Sequence, residues 1–181
     1  MSKDDLAKVI QGELNKQFKH QKVAYFLGQE DDTPTDVAGW ISTGSTMLDL
    51  AISNKPDGGV AVGKITELNG LEGSGKSLIG SHLLASTQRK DGIAVYIDTE
   101  SAVSPEFLEA IGVDTKKMLY VHLETVEEIF DTIETIVTNL SLFDSLILVT
   151  IVSIVSNISS TVSRCTYNIF VVSTPIALKN S

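Results

Sequence analysis

The sequence predicts an α/β fold: a parallel sheet flanked by helices, preceded by a separate N-terminal helix. Three observations predict it. Short apolar runs of strand length alternate with helical periodicity along the middle of the chain. A glycine-rich turn, Gly70-Leu-Glu-Gly-Ser-Gly-Lys-Ser77, joins one such run to the next helix. The chain has 181 residues, 43% apolar and 20% charged, which suits one packed core and is short for two.

The elements follow in order. Leu6, Val9, Ile10, Leu14 and Phe18 fall near one face of a helix from residue 4 to about 19. Gly28–Asp36 reads as an acidic linker with a turn at Pro34. Lys64–Asn69 is a strand, Gly70–Gly75 a loop and Lys76–Gln88 a helix. Ile93–Asp98 is apolar throughout, as a strand covered on both faces must be. Ser104 and Pro105 are a good N-cap and first-turn pair for a helix to about Ile111. Leu119–Leu123 is a third strand. Thr125 and Glu128 form a capping box that opens a helix with Val126, Ile129, Phe130, Ile133, Val137 and Leu140 on one side.

Composition breaks near residue 140. All 13 glycines precede it, as do all charged residues except Asp144, Arg164 and Lys179. The uncharged stretch Ser145–Val162 is 18 residues long, the lower limit for a membrane span. It is rich in Ser, Thr and Asn and has neither a basic flank nor an aromatic belt, so a buried strand followed by a disordered remainder is expected. Three parts result: residues 1–36, a helix and linker suited to oligomerisation; residues 37–139, the core; and residues 140–181, an anomalous tail. A shifted reading frame or a truncated gene would produce such a tail.

Several function classes recede on composition. The net charge of −9, from 14 basic and 23 acidic residues, argues against nucleic-acid binding by the whole surface, though not by a local basic patch. The single cysteine, Cys165, excludes an internal disulfide and fits a reducing compartment. The charged N-terminus has no apolar core of a secretory signal. His20, His82 and His122 lack ligand spacing, so no metal site is expected from them.

The glycine-rich turn carries the clearest chemistry. Gly70 to Ser77 satisfies G-x-x-x-x-G-K-[ST] between a strand and a helix. Gly70, Gly73 and Gly75 permit backbone conformations that a Cβ opposes. The amides of Gly70, Leu71, Glu72, Gly73, Ser74 and Gly75 and the helix N-terminus then face phosphate oxygens. Lys76 adds a point charge between two phosphates, and the Ser77 hydroxyl can ligate Mg²⁺. The bland alternative is a glycine-rich turn with a surface lysine. Asp98-Thr-Glu100 ends the next strand at the same sheet edge, where a carboxylate can polarise water attacking a γ-phosphate or merely cap a loop.

Several segments together resemble the RecA-type recombinases, especially their bacteriophage UvsX-like branch. They are Ile41-Ser-Thr-Gly-Ser45 with Leu48-Asp49, Gly63–Leu68 before the phosphate loop, Ala94–Glu100, Ser101–Phe107 and Ile111–Asp114. The resemblance covers roughly Val37 to Asn139. It implies a RecA-like P-loop NTPase core, ATP and Mg²⁺ as ligands, single-stranded DNA and further subunits as partners, and the cytoplasm of a bacterial or phage-infected cell. It implies that Lys76 and Ser77 hold phosphate and Mg²⁺ and that Glu100 activates water. Ser104 and Phe107 match positions bordering the adenine ring, although Phe107 reads equally as a core residue. The N-terminal helix matches the segment that packs on a neighbouring subunit, although it suits its own domain nearly as well.

The chain departs from the family after residue 140. The family's second acidic strand ends in Asp-Ser, and its Asp orients the Mg²⁺ water. Here Leu146–Ser156 holds the apolar run without the aspartate, and Asp144 precedes it. The DNA-binding loops, the γ-phosphate-sensing glutamine and the cross-subunit lysines have no counterpart in 156–181. The core is therefore incomplete, and slow hydrolysis is expected. Translation of the gene's other two frames past this point tests the frameshift idea: it fails if neither encodes an apolar run ending in Asp-Ser. Two other readings stand beside the recombinase. A P-loop small-molecule kinase should carry an arginine-rich lid, but the arginines are only Arg89 and Arg164. A non-enzymatic nucleotide-binding module could poison filaments through its N-terminal helix.

Overall fold

The computed structural model describes residues 3–18, 21–27, 33, 35–71, 73–101, 103–140, 148–156 and 166–175. The chain forms two compact units, residues 1–36 and 37–181. In the first, α1 spans Lys3–Gln17, ending slightly before the expected boundary. The chain then folds back. The Asn15 side chain accepts from the amides of Val23 and Ala24, both at 2.9 Å, and Gln11 donates to the Ala24 carbonyl at 3.2 Å. Leu6, Val9, Ile10, Leu14 and Phe18 remain 40–50% exposed, so this apolar stripe is not consumed within the unit.

The second unit opens with β1 (Trp40–Ile41) and β2 (Val60–Ala61), an antiparallel pair on either side of α2 (Thr46–Ser53). The main sheet follows: β3 (Lys64–Leu71), α3 (Lys76–Gln88), β4 (Ile93–Asp98), α4 (Pro105–Ile111), β5 (Met118–His122), α5 (Val126–Leu140), β6 (Leu148–Ser156) and β7 (Thr166–Pro175). Its order is β3-β7-β6-β4-β5.

Four strands run parallel, as the alternation predicts, but β7 lies antiparallel between β3 and β6. The sheet is therefore mixed. The reason is the connection: only residues 157–165 separate β6 from β7, and a parallel crossover needs about a dozen residues or more. The expected disordered remainder is corrected too, since β7 occupies part of it. A run of β-branched residues suits a pleated strand whatever its origin.

The core straddles the sheet. Ala94 and Tyr96 of β4 face Leu83, Leu84 and Ala85 of α3 and Leu108 of α4, whereas Val95 and Ile97 pack with Ile129 of α5. That alternation explains why β4 is apolar at every position except its terminal Asp98. The capping box forms as read: Thr125 Oγ1 accepts from the Glu128 amide and Glu128 accepts from the Thr125 amide. Phe130 is a correction. It is 56% exposed, whereas Val126, Ile133, Ile136 and Val137 pack against the buried Ile129.

Candidate nucleotide site

The strand before the phosphate loop is longer than expected. β3 continues through Gly70 and Leu71, which pair with Tyr167 and Thr166 of β7. The loop proper therefore begins at residue 72. Glu72 itself lies outside the described residues, as do His20, Pro34, Asp144 and Cys165. Gly70 has an extended backbone; a Cβ there would stand 2.7 Å from Ser74 Oγ, so its smallness serves close approach. Gly73 and Gly75 differ. A Cβ on either meets nothing within 4 Å, but their φ values are +73° and +87°, a region that opposes any L side chain.

Gly75 is the N-cap of α3, and no side chain caps that helix. The first amides of α3 thus point outward at the positive end of its dipole. Lys76 is nearly buried, and Nζ donates to the carbonyls of Gly70 and Leu71, both at 2.8 Å, with Ser74 Oγ at 3.4 Å. Ser77 follows as the second residue of α3, and its carbonyl accepts from Ser81 Oγ. The glycine loop, uncapped helix start and buried ammonium bring donors together in one place, chemically suited to a polyphosphate.

The second cluster sits at the end of β4. Because β3 and β4 run parallel, both clusters occupy one sheet edge, with β7 and β6 between them, about 14 Å or three strand spacings apart. Asp98 is fully buried. Its Oδ1 accepts from the Glu100 amide at 2.8 Å, and its Oδ2 accepts from the Tyr120 hydroxyl at 3.2 Å. Burial and the nearby Asp98 charge push the Tyr120 hydroxyl above its ordinary range, so it stays a donor at neutral pH. The Asp98 carbonyl lies 2.9 Å from His122 Nδ1. A carbonyl only accepts, so Nδ1 carries the proton there. Tyr96, stacked on Tyr120 with centroids 6.2 Å apart, has a buried hydroxyl without a hydrogen-bond partner among the described residues.

Ser104 caps α4, with Oγ accepting from the Phe107 amide at 3.2 Å. Phe107 is 40% exposed, so its ring is not a core residue. Among the described residues no group of three or more His, Cys, Asp or Glu could hold a metal ion. No helix among them is long and apolar enough to cross a membrane. Sequence reasoning missed Tyr120 and the polar node at Asp49. The fully buried Asp49 accepts from Ser42 Oγ, from the Thr43 amide at 2.8 Å and from Thr43 Oγ1 at 2.7 Å. In the sequence Asp49 figures only in the Leu48-Asp49 resemblance, with no role given to its carboxylate.

The model of the RecA N-terminal domain family matches residues 5–161. The match thus takes in α1 and reaches through β6. Among curated proteins, Protein RecA of Acidothermus cellulolyticus is 40% identical over 111 residues, 61% of this chain and 30% of that protein. Protein RecA of an Arthrobacter species is 36% identical over 130 residues, covering 72% of this chain and 35% of its own. That of Pseudarthrobacter chlorophenolicus is 36% identical over 141 residues, 76% and 38% respectively. The chain spans about a third of the length of these relatives.

Proposed function

The chain belongs to the RecA family, and from that premise we propose that it is the ATP-binding portion of a RecA-type recombinase. The observation that carries this reading is the clustering of left-handed Gly73 and Gly75, nearly buried Lys76 and the uncapped start of α3. Lys76 and the loop amides hold the β- and γ-phosphates. Ser77 would hold Mg²⁺, which would supply charge neutralisation on the phosphate oxygens. Ser104 and Phe107 border the base.

Glu100 takes the proton of the water that attacks the γ-phosphorus, while the bond to ADP breaks. We propose that this step is slow here. β6 reads Leu148-Val-Thr-Ile-Val-Ser-Ile-Val-Ser156 without a carboxylate, and Ile154 pairs with Asp98 where an acid would be useful. Binding without fast turnover favours a second reading, a nucleotide-holding module that enters filaments through the exposed stripe of α1. Single-stranded DNA and a full-length homologue are the partners proposed, in the cytoplasm of a bacterial or phage-infected cell.

ATP binding by wild type and Lys76→Ala, with and without single-stranded DNA, tests the assignment. Binding lost in Lys76→Ala supports it, and robust DNA-stimulated hydrolysis by this chain would overturn the slow-turnover reading. Inhibition of a full-length homologue's strand exchange supports the second reading, and indifference counts against it.

A further inference from the structure

The turn that carries Glu100 is held in part by β5. Asp98 Oδ1 accepts from the Glu100 amide at 2.8 Å, which closes a two-residue Asx turn and fixes where Glu100 leaves the strand. Asp98 is in turn held by Tyr120 Oη on its other oxygen. Tyr120 lies on β5, paired with Tyr96, and its hydroxyl reaches diagonally to Asp98. His122, opposite Asp98, holds the Asp98 carbonyl, and Ser101 Oγ lies 3.3 Å from the same ring nitrogen.

Just past Glu100 the backbone is strained. Ser101 has φ +55°, left-handed for a residue with a Cβ. Such strain persists where neighbours over-determine the conformation, and here the contacts from β5 do so. A buried carboxylate with two dedicated donors is more than a strand end needs.

We propose that Asp98 and Tyr120 are positioning residues for Glu100: the carboxylate sets the turn and the phenol sets the carboxylate. The inference rests on the reading of Glu100 as the group that takes a proton from water. Acting through the turn rather than on the nucleotide, they should on loss affect turnover and leave binding alone. Misplacing a reacting group by about 1 Å costs up to roughly a hundredfold in rate.

The test compares wild type, Asp98→Ala, Asp98→Asn, Tyr120→Phe and Glu100→Gln. Three quantities are read: Mg-ATP dissociation constant, single-turnover hydrolysis and hydrogen exchange at the Glu100 amide. Asp98→Asn keeps an acceptor for that amide, and its NH2 can donate to Tyr120 Oη in place of the present bond, so it should stay closer to wild type than Asp98→Ala. Asp98→Ala and Tyr120→Phe should lose roughly tenfold or more in turnover at an unchanged dissociation constant. The Glu100 amide should exchange faster in Asp98→Ala and keep its protection in Asp98→Asn.

Wild-type turnover in both Asp98→Ala and Tyr120→Phe, with Glu100→Gln inactive, would overturn the pair and leave the role of Glu100 standing. Undiminished turnover in Glu100→Gln would overturn that role and the inference with it. Should wild type show no turnover, the exchange rates alone decide: unchanged protection in Asp98→Ala refutes the turn.

Discussion

Lys76 is folded back on Gly70: its Nζ donates to the Gly70 carbonyl at 2.8 Å, six residues behind it, and also to Leu71. A bound polyphosphate must outcompete two neutral carbonyls for that ammonium, which charge-assisted bonds do readily. Lys76→Ala should weaken Mg-ATP binding by roughly 10- to 100-fold, the worth of one charged hydrogen-bonding group. Titration with a fluorescent ATP analogue checks this, and undiminished affinity would refute the phosphate-loop assignment.

Two glycines should respond with opposite signs. Gly75 has φ +87°, so Gly75→Ala should cost about 1–2 kcal/mol and displace the start of α3. Gly12 lies inside α1 with open space around its missing Cβ. Gly12→Ala should therefore favour that helix by about 0.5–1 kcal/mol. Thermal unfolding and far-ultraviolet dichroism distinguish the two, and a stabilising Gly75→Ala would contradict the left-handed cap.

Asp49 makes part of the stability depend on acid. Burial raises its carboxyl, but hydrogen bonds from Ser42 and Thr43 more than offset this and hold it below the ordinary carboxylate range. A carboxyl depressed on folding stabilises the protein fully above its unfolded value near 4, and that contribution disappears as pH falls through the folded value. Asp49→Asn should lose about 1–3 kcal/mol at neutral pH and show a flatter decline below pH 4. Urea unfolding across pH 2.5–7 measures both; parallel curves would sink the claim.

Tyr96 carries the opposite lesson. Its hydroxyl is buried without a partner among the described residues, and burial together with the Asp98 charge pushes it far above the ordinary phenol range. Tyr96→Phe removes that unsatisfied group and keeps the ring against Tyr120, so stability should rise by about 1 kcal/mol. A lower melting temperature in Tyr96→Phe would show that the hydroxyl has a partner in solution.

The elements that motif or burial dictates were legible in the sequence. Lys76 opens α3 because the phosphate-loop pattern requires it, and β4 spans Ile93–Asp98 because both its faces are covered. The two-residue strands β1 and β2 are shorter than any periodic signal. Phe130 was misplaced because it neighbours Ile129, about 100° around the helix, on a wide apolar stripe where only packing chooses the buried edge. The hold of Tyr120 on Asp98 spans 22 residues and exists only in the β4–β5 register, so no local pattern announces it. The direction of β7 was hidden for a similar reason. Its residues indicate a strand, whereas its orientation depends on the short chain before it and the gap it enters.

That antiparallel strand also sets the order in which the protein can be made. β3 finds its partner in β7, about a hundred residues further along the chain, and β6 arrives nearly as late. β3 therefore stays without its ladder partner until β7 has been made, and the space between β3 and β4 closes only when β6 and β7 pair into it.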